Sequence, residues 1–184
     1  MKKMLITGFE PFGGAEVNPS WEAVSALPDV VGSYALSKVL VPVVFGEAGD
    51  VASRAFAEVS PSVVLMVGMA AGRDSITPEY VAINLRHTDM PDNSGVTYRN
   101  SCVVEDGADA YFTGLPVFDL AENLVARGIP ARVSFSAGTY VCNDLFYTMC
   151  HKYGNKAKIG FVHVPSEMPL ETITEALRII IETL

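Results

Sequence analysis

The segment SAGTYVCND, residues 136–144, runs from a glycine-bearing turn toward a helix, with Cys142 at the junction. A thiol placed there suits nucleophilic chemistry. The thiolate is the reactive form, and the dipole and unpaired N–H groups of a helix N-terminus stabilise an anion. His163 follows 21 residues later in the apolar run IGFVHVP. An imidazole beside the thiol would stabilise the thiolate further and could protonate a leaving amine. Gly138, between Ala137 and Thr139, would let backbone N–H groups approach a developing oxyanion. A third, acidic group is expected to orient the imidazole. On spacing alone Glu79, Asp92, Asp144 and Glu167 all stay open for that role.

Each of these residues also has a plainer explanation. A lone cysteine before a helix is more often a packing residue than a nucleophile, and His163 could be a satisfied core histidine. Cys150, two turns beyond Cys142, reads as core, and Cys102 reads as a loop cysteine without a role. His151 and Lys152 suit the negative end of a helix. The stretch GFEPFGG lacks the endings of a phosphate loop, and its two phenylalanines point to apolar contact instead. The main alternative to an enzyme is therefore an α/β small-molecule-binding protein in which Cys142 is structural. A thiol redox sensor is a weaker alternative, because Cys150 is poorly placed as a resolving partner.

The elements that must position these residues follow from hydrophobic patterning. Strands are predicted over 3–9, 37–45, 61–70, 80–85, 131–136 and 157–165. Helices are predicted over 18–27, 45–59, 118–128, 142–153 and 169–184, the first capped by Asn18 with Pro19 following. Pro42 makes 37–45 an edge strand or ends it. The stretch 86–117 is the least regular, with turn residues crowded at 89–98. Continuous apolar strands alternating with helices predict an α/β domain with a mostly parallel sheet. In such a sheet ligands bind beyond the carboxyl ends of the strands. That brings the loops 9–14, 69–73, 136–142 and 163–165 to one end, and with them Cys142 and His163.

Composition narrows the function classes. The chain has 184 residues, 49% apolar and 18% charged, and reads as one domain over 1–184. A formal charge of −8 with no basic run argues against nucleic acid or an anionic membrane as partner. The apolar start MKKMLITGF is broken by Glu10 and Pro11, so it reads as a buried strand rather than a leader. Three cysteines without CxxC spacing fit a reducing compartment and support neither a disulfide framework nor a zinc site.

Taken in order along the chain, GFEPFGG…NPS, PEYVAIN, PDNSG, SFSAGTYVCND and FVHVP resemble the pyroglutamyl peptidase I family, the pyrrolidone-carboxylate peptidases. The resemblance implies a three-layer α/β/α sandwich and a cytoplasmic, typically tetrameric cysteine peptidase without metal or cofactor. It implies removal of an N-terminal pyroglutamyl residue from peptides. Motif by motif, it implies Cys142 as nucleophile, His163 as base and Glu79 as the third member. It also implies Phe9 and Phe12 as aromatic walls for the lactam ring, and Asn18 as a polar residue holding loop and substrate. A neutral ring asks for aromatic area and a few hydrogen bonds, not a charge. Two positions depart from the family pattern. Met69, in GMAAGR, stands where Gln is frequent, and Asp89, in TDMPDN, stands where Arg is frequent. An anion at Asp89, if close to the thiol, would raise its pKa.

Overall fold

The computed structural model of the protein describes residues 1–184. The first half of the chain contains β1 (Lys2–Phe9), α1 (Pro19–Ala26), β2 (Val30–Val31), β3 (Tyr34–Val41), α2 (Glu47–Val59) and β4 (Val63–Ala70). Short strands follow as β5 (Thr77–Pro78), β6 (Val81–Ile83), β7 (Arg86–Thr88), β8 (Tyr98–Ser101) and β9 (Ala110–Phe112). The chain closes with α3 (Val117–Ala126), α4 (Val141–Tyr153), β10 (Lys158–Pro165) and α5 (Leu170–Thr183).

Six strands form one sheet in the order β2-β3-β1-β4-β10-β5. The four long strands run parallel, and the two-residue edges β2 and β5 pair antiparallel. Alternation along each strand sorts side chains to two cores. Met4, Ile6, Val63, Leu65, Val162 and Val164 face one layer, where they pack with residues of α1, α3 and α5. Leu5, Phe9, Val64, Met66, Ile159 and Phe161 face the other, with residues of α2 and α4. The result is the expected α/β/α arrangement. His163 has the same parity as Ile159 and Phe161, so it projects on the α4 side.

Asn18 caps α1 as expected, its Oδ1 accepting from the Ser20 N–H at 3.0 Å. β3 ends at Val41, just before Pro42, which has no N–H for a ladder. No helix is long and apolar enough to cross a membrane.

The strand predicted over 131–136 is corrected by the structure. This segment meets 76–80 only through the isolated bridges Ile76–Ala131 and Glu79–Ser134. Ile76 N–H donates to Pro130 O and Arg132 N–H to Ile76 O; Ser134 N–H donates to Pro78 O and Tyr80 N–H to Ser134 O. The rung between these pairs would need an N–H from residue 78. Pro78 has none, so the ladder is interrupted there. The strand predicted over 80–85 shrinks to β6, paired with β9 outside the main sheet. The irregular stretch contains a second two-stranded ribbon, β7–β8.

Candidate active site

A cavity of about 370 Å³ opens beyond the carboxyl ends of β1, β4 and β10. Phe9, Phe12, Val43, Met69, Met90 and Tyr140 supply apolar wall; Asn18, Arg73, Ser136, Cys142 and His163 supply polar groups. Residues from all four loops expected at that end therefore line one space. Phe9 is buried at the end of β1, and Phe12 lies half-buried with its ring 6.4 Å from that of Tyr140. Asn18 spends its polar atoms on the protein itself, accepting from Ser20 and donating to Glu10 O at 2.9 Å. It holds the loop that carries both phenylalanines.

Cys142 is the second residue of α4, and no side chain caps that helix. The first-turn N–H groups have no intrahelical acceptor, and Val141 and Cys142 of that turn line the cavity. The Gly138 N–H, by contrast, donates to Ser136 Oγ at 3.2 Å, with Gly138 at φ +79°. His163 and Gly68 are register neighbours on β10 and β4, and the Cys142 sulfur lies over Gly68. A Cβ at position 68 would come within 3.0 Å of Sγ and 2.7 Å of the Phe161 ring. Gly68→Ala is therefore expected to lower kcat by about 100-fold, since small misplacements of reacting groups cost that much. Overpacking should lower stability by about 1–3 kcal/mol as well. An unchanged kcat, measured alongside the melting curve, would show that the thiol does not need this space.

Glu79 is the one of the four open acids that touches His163, its Oε1 lying 2.7 Å from Nδ1. Glu79 is fully buried and His163 nearly so. Nδ1 is thereby assigned the proton, which leaves Nε2 free as an acceptor. The Glu79 backbone is strung between neighbours, its N–H donating to Phe161 O at 2.9 Å. Asp144 instead accepts from Gly46 N–H at 2.9 Å and pairs with Arg86, and the buried Asn143 bonds Ile83 and Leu85. These two residues after Cys142 pin the start of α4. Asp92 is engaged by the N–H groups of Phe45, Ser94 and Val96, and Glu167 is exposed.

Burial pushes the Cys142 thiol up to about 12, with Glu79 adding to the rise and Arg73 opposing it. Burial also pushes His163 below the ordinary histidine value, against the pull of Glu79. Both shifts favour the neutral forms of the pair, against the stabilisation of an anion expected from the helix terminus. Asp89 does not contribute. It is exposed and paired with Arg99, and it is not among the groups that shift the thiol, although its neighbour Met90 lines the cavity. Met69 does line the cavity, so that departure alters the site itself. Cys150 is buried in the core, as read from the sequence, and Cys102 is exposed. PDNSG ties the mouth together: Asn93 donates to Glu10 Oε1 at 2.8 Å and to Pro11 O at 3.0 Å.

A model of the family described as pyroglutamyl peptidase matches residues 2–184. The chain belongs to the pyroglutamyl peptidase family. Membership makes it a peptidase, and so a hydrolase. It is 44% identical to the pyrrolidone-carboxylate peptidase of Thermococcus onnurineus, the alignment covering 98% of both chains. It is 41% identical to that of Enterococcus faecalis, over 98% of this chain and 92% of the relative. The crystal structure of Bacillus amyloliquefaciens pyroglutamyl peptidase I superposes with a TM-score of 0.95 at 40% identity, covering 100% of this chain and 96% of that one. That of the Thermus thermophilus pyrrolidone carboxyl peptidase does so at 0.94 and 34%, covering 98% and 100%.

Proposed function

We propose that this peptidase hydrolyses the bond after an N-terminal pyroglutamyl residue, with Cys142 as nucleophile, His163 as base and acid, and Glu79 orienting the imidazole. One observation carries the reading. An imidazole in the cavity wall is held through Nδ1 by a fully buried carboxylate, in the same wall as a thiol at the start of an uncapped helix. His163 Nε2 takes the thiol proton as Sγ attacks the scissile carbonyl. First-turn N–H groups of α4 receive the oxyanion. The imidazolium then protonates the leaving amine. Water, deprotonated by His163, cleaves the thioester and releases pyroglutamate. The steps need a thiol, an imidazole, a carboxylate and water, and involve no metal or cofactor. Phe9, Phe12 and Tyr140 give the flat neutral ring apolar area, while Asn18 keeps the loop of both phenylalanines in place.

The same reading takes 1–184 as a single peptidase domain acting in the cytoplasm as a homotetramer. Three cysteines without a disulfide suit a reducing compartment. The exposed rings of Phe112, Phe118 and Phe135, gathered around Tyr80, offer apolar surface for self-association.

The deciding experiment compares fluorogenic pyroglutamyl, prolyl and glutamyl amides. Proline brings a charged amine and lacks the lactam carbonyl, so burying it beside Phe9 and Phe12 is costly. Pyroglutamyl turnover is expected to exceed prolyl turnover by about 1000-fold or more. Equal rates would show that the lactam is not what the cavity selects.

A further inference from the structure

We infer that Arg73 is a positioning residue of this site, its guanidinium fixing the Glu79 carboxylate against His163 and tying it to the loop that leads into α4. The inference rests on the Cys142–His163–Glu79 reading above. Nη1 lies 2.6 Å from Glu79 Oε1 and also contacts Thr77 Oγ1, while Nη2 donates to Ser136 O at 3.1 Å. A rigid fork thus spans the acid and the segment preceding Gly138 and Cys142. The adjacent Asp74 is turned away to Arg132 at 3.0 Å, so Arg73 serves Glu79. Oε1 receives both Arg73 and His163, whereas Oε2 is buried with no hydrogen-bond partner. One oxygen therefore carries the whole network. Without Arg73 the carboxylate would be a buried anion with His163 as its remaining ionisable partner.

The electrostatic consequence has a definite sign. The charged or titratable groups facing His163 are Glu79, Arg73 and Cys142. Burial and, to a smaller extent, Arg73 favour the neutral imidazole, and Glu79 favours the charged one. The neutral form is the base, so activity falls as pH drops through the imidazole pKa. In the wild type the acid limb of kcat/KM is expected below 6.5, the ordinary histidine value. Removing the guanidinium leaves burial alone to oppose Glu79 at His163 and moves that limb upward, by about one pH unit for a charge at this range.

The test measures pH profiles of Arg73→Met and Arg73→Lys on a pyroglutamyl amide. Arg73→Met should shift the acid limb up by about one unit and lower kcat at least about tenfold, with KM within about threefold. Arg73→Lys keeps the charge but loses the fork, so it should hold the wild-type limb with a lowered kcat. An Arg73→Met limb coinciding with wild type overturns the inference, whatever its melting temperature. Should Arg73→Met not fold, Arg73→Lys kinetics equal to wild type overturn it. Cys142→Ala in the same assay separates the two levels: if it retains turnover the triad reading itself falls, and if it is inactive only the role of Arg73 is in question.

Discussion

Cys142→Ala is expected to reduce hydrolysis of a pyroglutamyl amide by at least about 10⁴-fold while the protein stays folded. The substitution removes one sulfur from a half-buried position, and neither Asn143 nor Asp144, which pin α4, is touched. Binding and the first-turn N–H groups survive, but no thioester can form. Cys150 sits two turns deeper, buried among Phe56 and Met149, and its thiol contacts no imidazole of the cavity. Cys102 is exposed, directly after β8, and does not line the cavity. Cys150→Ala and Cys102→Ala should therefore keep most of the activity, Cys150→Ala with some loss of stability. Turnover and thermal melting of all three variants check this. Similar losses in all three would assign Cys142 to packing.

The second large effect concerns the imidazole and its carboxylate. His163→Ala should lose nearly as much rate as Cys142→Ala, because groups acting as one unit are not additive. The double variant should be hardly worse than either single one. Glu79→Gln should be milder than His163→Ala, by roughly 10²- to 10⁴-fold relative to wild type. The amide keeps a polar atom at Nδ1 but removes the anion and can present a donor where an acceptor is needed. It also leaves Arg73 without its buried charge partner, so a fall in melting temperature should accompany it. Full activity in Glu79→Gln would mean that another group orients the imidazole. The double-variant rates are the sharper reading, since two independent contributions to the rate would multiply.

How much of this was legible from residues alone depended on whether the deciding interactions were local. Hydrophobic period and capping are local, which is why β1, α1, β4, α4, β10 and α5 emerge within two residues of their predicted bounds. The branch of the reading that placed Cys142 at a helix start and His163 at a strand end needed nothing more. Choosing among Glu79, Asp92, Asp144 and Glu167 did, because spacing says nothing about which carboxylate crosses from one strand to the next. The resemblance pointed to Glu79, and the contact with His163 is a matter of register between β10 and the segment around Pro78. Pro78 likewise interrupts the expected 131–136 strand, since a missing N–H matters only once a partner strand lies beside it. Asp144 looks like a catalytic acid in sequence and is instead an anchor, its charge drawn to Arg86 58 residues away. Asp89 looks threatening to the thiol and is harmless, because the β7–β8 ribbon carries it out to Arg99. The thiol pKa went the other way from the helix-terminus argument, because desolvation at the cavity wall, with Glu79 adding to it, raises it despite Arg73. Arg73 carries no motif that marks it; its role depends on a fork reaching Glu79 and Ser136 at once, and only the folded chain brings those two within its span.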